Sequence, residues 1–171
     1  MKPVDFLHSL KQSFDSIDPK ILETLSDTII NAKGKIIILG NGGSNAIASH
    51  IAEDYSKALG KPTLSFSDSA RLTCYANDYG YDQAFKYFLK DFAERQGLVI
   101  LISSSGNSKN IVTCAQYCIE NAIPFISLTG FSETNTLKTL SEKYALFNIW
   151  INSNNYGVVE LTHEAILHSI I

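Results

Sequence analysis

Lys35-Ile36-Ile37-Ile38-Leu39-Gly40-Asn41-Gly42-Gly43-Ser44 is the stretch on which the reading of this chain turns. Four consecutive apolar residues, three of them β-branched, describe a strand buried on both faces, as in a parallel sheet. The glycines after them let the backbone turn tightly into a helix. Strand, turn and helix together make a seat for an anion, because the first amides of a helix have no partner inside it and lie at the positive end of its dipole. Glycine turns also serve purely structural ends, so this one alone leaves the question of a ligand open.

A second stretch repeats the arrangement. Leu98-Val99-Ile100-Leu101-Ile102 is another buried-strand run, followed by Ser103-Ser104-Ser105-Gly106-Asn107-Ser108 and the helical pattern Ile111, Val112, Ala115, Cys118, Ile119. Serines clustered around a glycine place hydroxyl donors beside the free amides of the new helix, which suits the oxygens of a phosphate monoester. One of them is expected to be an N-cap, but a cap does not need the whole cluster. Further strands are expected over 62–66, 123–128 and 145–151, with helices at about 44–59, 135–144 and 156–171 and short helices over 69–95. Strands alternating with helices predict an α/β fold with a doubly wound, five-stranded parallel sheet. Ligands of such sheets sit beyond the carboxyl ends of the strands, where both turns fall.

Residues 4–32 carry two amphipathic helices broken at Asp18-Pro19, expected to pack on another subunit or to cap an edge. The chain has 171 residues, 45% of them hydrophobic, enough for one compact domain. Fourteen basic against seventeen acidic residues leave a net charge of -3, which argues against a nucleic-acid partner. No apolar run reaches the length of a membrane span and no signal-peptide pattern is present, so no membrane partner and a cytoplasmic location are expected. Cys74, Cys114 and Cys118 lack paired metal-site spacing and are expected to be reduced packing thiols. The aromatic stripe Tyr75, Tyr79, Tyr81, Phe85, Tyr87, Phe88 and Phe92 is expected in core or interface.

His50 and Asp54 lie one helical turn apart and project from one face, where an imidazole and a carboxylate can share a metal. Glu53 is the alternative carboxylate if the helix register differs. On the final helix Glu160 and His168 are separated by about 12 Å along the axis. Glu164 lies one turn from each, and His163, on another face, reads as a core or supporting histidine.

These motifs, in this order, resemble the sugar isomerase (SIS) family, and within it the phosphoheptose isomerases. The resemblance rests on Gly40-Asn41-Gly42-Gly43-Ser44, His50, Ser67-Asp68, Ala76-Asn77-Asp78-Tyr79-Gly80, Ser103 to Ser108, Leu128-Thr129-Gly130 and Val159-Glu160 to His168. It implies a single SIS domain over 1–171, with flavodoxin-like strand order in 34–171 and a helical oligomerisation segment in 1–33 of a homotetramer. It further implies a phosphorylated sugar as substrate, bound by Asn41, Gly42, Gly43, Ser44, Asp78, Ser103, Ser104, Ser105, Ser108, Thr129 and Glu160. A zinc ion, Zn2+, is implied on His50, Asp54, Glu160 and His168. In the phosphoheptose isomerases the matching positions carry histidine, glutamate, glutamine and histidine. Asp54 is therefore one methylene short, and Glu160 is charged where an amide is expected.

The activity implied is zinc-assisted aldose-ketose isomerisation through an enediol, turning sedoheptulose 7-phosphate into D-glycero-D-manno-heptose 7-phosphate for lipopolysaccharide or capsule synthesis. Asp54 is the expected base and His168 the expected acid, since the reaction needs a carboxylate and an acid of near-neutral pKa. The alternatives are a non-catalytic sugar-phosphate-binding or assembly protein on the same scaffold, or an isomerase of another sugar phosphate.

Overall fold

The computed structural model describes residues 2–171. Strands β1 (Ile36–Leu39), β2 (Thr63–Ser65), β3 (Leu98–Ser103), β4 (Phe125–Thr129) and β5 (Asn148–Trp150) form one parallel sheet in the order β2-β1-β3-β4-β5. This is the expected flavodoxin-like order, and its direction switches between β1 and β3. Ile38 pairs with Ile100 and Leu39 with Leu101, so the glycine turn after β1 and the serine turn after β3 leave the sheet side by side.

The helices are α1 (Pro3–Asp15), α2 (Pro19–Ile30), α3 (Gly43–Ala58), α4 (Ser69–Tyr79), α5 (Tyr81–Phe92), α6 (Lys109–Glu120), α7 (Thr136–Tyr144) and α8 (Tyr156–His168). Successive strand residues point to opposite faces. Ile36, Ile38, Ile100, Ile102, Ile126 and Leu128 therefore meet Ile47, Ile51 and Tyr55 of α3 and Val159, Ile166 and Leu167 of α8. Ile37, Leu39, Val99, Leu101 and Phe125 meet Phe85 and Phe88 of α5, Ile111 and Cys114 of α6 and Leu137 of α7. The aromatic stripe divides accordingly: Phe85 and Phe88 are core, whereas Tyr79 and Tyr81 are exposed. Cys114 and Cys118 are buried free thiols, and Cys74 is an exposed one. Among the described residues no helix is long and apolar enough to cross a membrane.

The two N-terminal helices behave differently from each other. Leu25 and Ile29 of α2 are fully buried in the cluster that holds Ile36 and Ile38, so α2 covers the sheet itself. Amphipathicity had shown an apolar face without showing what it meets; the short connection 31–35 folds that face back onto the sheet. In contrast α1 lies on α8, with Ser13 Oγ 2.7 Å from Thr162 Oγ1. It leaves Val4 and Leu7 60% and 62% exposed.

His163 of α8 is fully buried, with Nε2 3.1 Å from the Thr129 carbonyl oxygen and no partner at Nδ1 among the described residues. Burial disfavours the imidazolium and pushes its pKa from 6.5 down to about 4. Between those values the unfolded chain holds a proton that the folded chain lacks. Stability is therefore full above the unfolded value and falls as pH drops towards 4, by on the order of 3 kcal/mol over the whole window. Urea unfolding at pH 7, 5 and 4 should show this slope, and His163→Gln should flatten it.

Candidate active site

At the end of β3 the chain turns at Gly106, whose φ of +64° is the left-handed conformation glycine adopts without strain. The Gly106 amide donates to the Ser103 carbonyl at 3.0 Å and to Ser103 Oγ at 3.2 Å. Ser103 Oγ in turn donates to Ser108 Oγ at 3.3 Å. Ser108 occupies the N-cap of α6, yet its side chain makes no capping hydrogen bond. Ser105 Oγ accepts from the Asn107 amide at 3.3 Å. Ser104 is 4% exposed, and its Oγ has no hydrogen-bond partner among the described residues. A buried hydroxyl without a partner is uncommon in folded chains, and this one borders a cleft.

The glycine turn faces it. Gly42, at φ +53°, is the N-cap of α3. Asn41 and Asn110 exchange side-chain hydrogen bonds at 2.9 and 2.8 Å, and the Tyr81 hydroxyl donates to Asn41 Oδ1 at 2.8 Å. The two turns are thus tied together through the start of α6. Between them lies a cleft of about 230 Å³ lined by Asn41 to Ser44, Ser103 to Ser105, Ser108, Tyr156 and Glu160. No Lys or Arg lines it, so an anion there meets only amides and hydroxyls.

Two turns along α3 and at the far end of α8 the histidines meet. The His50 and His168 rings are 4.9 Å apart, edge to face. Asp54 Oδ2 is 3.3 Å from His50 Nε2 and 3.7 Å from His168 Nδ1. Glu164 Oε1 is 3.4 Å from His50 Nδ1 and 4.0 Å from His168 Nε2. His50, Glu164 and His168 each offer a ligand atom, all within 4.8 Å of one another. Two imidazoles and a carboxylate are a donor set that fits a transition-metal ion such as zinc.

Glu160, expected as a ligand, lies outside this group of three, which Glu164 completes. Glu160 and His168 stand two helical turns apart, whereas Glu164 and His168 stand one turn apart. Glu160 instead lies against Gly43: a Cβ built there would come within 2.6 Å of its carboxylate carbon. It borders both the anion cleft and a second cleft of about 460 Å³ lined by His50, Glu164, Ala46, Ile47, Gly157 and Leu161. Burial pushes the Glu160 carboxyl above its usual range.

Two other expected substrate contacts lie elsewhere. Thr129 is fully buried within the sheet, its Oγ1 donating to Asn148 Oδ1 at 3.4 Å. Asp78 is exposed near the end of α4, accepting from Asn77 Nδ2 at 3.0 Å. Neither lines a cleft with the serine or glycine turn. Glu53 is exposed, and Asp54 is the carboxylate that reaches the histidines. Sequence reasoning missed Tyr156 in the cleft wall and the Tyr81–Asn41–Asn110 ties. It named Glu164 only for its spacing, and that spacing was the signal.

The sequence pattern of the SIS domain matches residues 6–130. A probable phosphoheptose isomerase of Thermoplasma volcanium is 32% identical over 97% of this chain and 87% of its own length. A phosphoheptose isomerase of Fusobacterium nucleatum is 30% identical over 89% of this chain and 78% of its own. The structure of a phosphoheptose isomerase from Neisseria gonorrhoeae superposes with a TM-score of 0.86 at 23% identity, covering 98% of this chain and 93% of that one. The chain belongs to the SIS domain family, and within it to the group of the phosphoheptose isomerases.

Proposed function

We propose that the chain interconverts sedoheptulose 7-phosphate and D-glycero-D-manno-heptose 7-phosphate by proton transfer through an enediol. One observation carries the reading: Gly43 and Glu160 line both clefts, so the anion seat and the histidine cluster open into one groove. Together the clefts fall within the range of small-molecule sites, about 300–1,000 Å³. A monoester held by Ser103, Ser104, Ser105, Ser108 and the amides of α6 leaves its sugar running past Asn41, Ser44 and Glu160 towards His50.

Three carboxylates, Asp54, Glu160 and Glu164, stand near two imidazoles, a balance of charge that favours a cation. His50, Glu164 and His168 would hold Zn2+, with Asp54 behind the two rings. When bound, zinc polarises the carbonyl and lowers the cost of negative charge on its oxygen. The imidazole pair supplies the acid that moves protons between the two oxygens, with His50 at the cleft and His168 against Asp54. The exposed Val4 and Leu7 of α1 favour assembly through the 1–33 segment, in a cytoplasmic homotetramer.

A zinc-loaded sample mixed with sedoheptulose 7-phosphate should yield the aldose, followed by NMR of the anomeric protons. A sample that binds the ketose without converting it is a binding protein, and the isomerase reading fails. His50→Ala, His168→Ala and Glu164→Gln should each lower zinc content and turnover by about tenfold or more. Metal analysis of the three variants checks this. Full zinc occupancy in Glu164→Gln would remove Glu164 from the ligand set.

A further inference from the structure

We infer that Tyr81 is a positioning residue of the anion seat, holding the Asn41 side-chain amide so that its nitrogen is the end left to meet the phosphate, a role that rests on the sugar-phosphate reading above and deepens it. Three side chains carry the inference. Asn41 Nδ2 donates to Asn110 Oδ1 at 2.9 Å, and Asn110 Nδ2 donates back to Asn41 Oδ1 at 2.8 Å. The Tyr81 hydroxyl is a second donor to that same Asn41 oxygen, also at 2.8 Å.

A closed pair of amides does not by itself fix which way the two point. Exchanging oxygen for nitrogen in both leaves two hydrogen bonds in place, because each amide has one accepting and one donating end. Tyr81 removes that degeneracy. A phenol is a stronger donor than acceptor, since its oxygen lone pair is shared with the ring, so the Asn41 end that it meets is the oxygen. With Asn110 and Tyr81 both donating to it, Asn41 Oδ1 has its two acceptor sites filled, and the nitrogen is the end of the amide with capacity left. Asn41 borders the anion cleft, where neither Lys nor Arg is present. An amide N–H there adds to the hold on an anion, whereas an amide oxygen would oppose it.

The fold places this hydroxyl rather than leaving it to solvent. Gly80, at φ +76°, joins α4 to α5 and sets Tyr81 at the first position of α5. One turn on, the buried ring of Phe85 meets the Tyr81 ring edge to face at 5.8 Å. Half of the tyrosine surface is open to water, yet its hydroxyl turns to Asn41. Burial of the phenol pushes its pKa above the usual value, so the donated proton is held throughout the neutral range.

The test titrates inorganic phosphate calorimetrically into the unaltered chain, Tyr81→Phe, Asn41→Ala and the double variant, and measures KM and kcat for sedoheptulose 7-phosphate on zinc-loaded samples. Phenylalanine keeps the ring on Phe85 and removes the hydroxyl alone. Tyr81→Phe should bind phosphate about three- to tenfold more weakly, the scale of one net hydrogen bond, and KM should rise by a similar factor while kcat holds. In the Asn41→Ala background the same change should have no further effect, because it acts through the Asn41 amide. A nitrogen-15 NMR spectrum supplies a signature that a brace for the fold would not move: phosphate should shift one Asn41 side-chain amide proton in the unaltered chain, and that shift should shrink in Tyr81→Phe. Unchanged phosphate affinity in Tyr81→Phe overturns the role. An equal loss with and without the Asn41 side chain also overturns it, by making Tyr81 a brace. An unaltered chain that binds phosphate without converting the ketose overturns the isomerase reading alone, since the phosphate titrations need no turnover. One that binds neither phosphate nor the ketose overturns both.

Discussion

Gly106→Ala is expected to unfold at lower urea concentration, losing about 3–5 kcal/mol of stability. Two costs add. The backbone at φ +64° admits an L side chain only with strain, on the order of 1–2 kcal/mol. The new Cβ would also stand 2.8 Å from Asn135 Cβ, with the Asn135 amide group closer still. Asn135 is 1% exposed and has nowhere to swing. Its Nδ2 donates to the carbonyls of Gly130 and Ser132 at 3.1 and 2.8 Å, and its Oδ1 accepts from the Lys138 amide at 2.9 Å. Displacing it breaks these bonds at about 1 kcal/mol each and removes the cap of α7. Binding of inorganic phosphate, measured by calorimetry on the folded fraction, should fall as well, because the turn holds Ser103 and Ser108 together. A variant within 1 kcal/mol of the unaltered chain would mean that the turn has slack the geometry does not show.

The same residues show why some of this molecule was legible from its sequence and some was not. The strand runs 36–39 and 98–102 and the turns after them follow from local rules. A run apolar at every position fits only a strand covered on both faces, and β3 then ends in the serines whose spacing around Gly106 marks the anion seat. What escaped is what depends on which surfaces meet. The apolar stripe of α2 gave no sign that Leu25 and Ile29 would land on Ile36 and Ile38. Thr129 and Asp78 were placed beside the substrate by resemblance alone. The pairing of β4 with β5 sequesters Thr129 with Asn148, and the end of α4 carries Asp78 away from the turns. On α8 the periodicity shows where each carboxylate lies: residues four apart share a face, so Glu164 accompanies His168 and Glu160 falls one turn back towards Gly43. The departures at Asp54 and Glu160 were visible as residues, but their consequence required knowing which carboxylate the histidines occupy.

Gly43→Ala should separate activity from stability in the opposite sense to Gly106→Ala. Gly43 is the first residue of α3, and its φ lies outside the left-handed region, so alanine fits the backbone there and stability should change by less than about 0.5 kcal/mol. The added methyl meets the end of a flexible side chain, its nearest neighbours being the carboxylate atoms of Glu160, with Oε1 at 2.7 Å and Cδ at 2.6 Å. Glu160 must therefore shift its carboxylate by on the order of 1 Å within the cleft wall, and misplacement on that scale beside a substrate costs about a hundredfold in rate. The serine turn keeps its own hydrogen bonds, so affinity for inorganic phosphate should fall by much less than the rate does. Combining Gly43→Ala with Glu160→Gln is the decisive arm, because residues that act through one group are not additive. If Gly43 matters only by seating the Glu160 carboxylate, the double variant is no slower than Glu160→Gln alone. If the two losses multiply, the glycine has a separate role at the cleft, and the seat does not explain the rate.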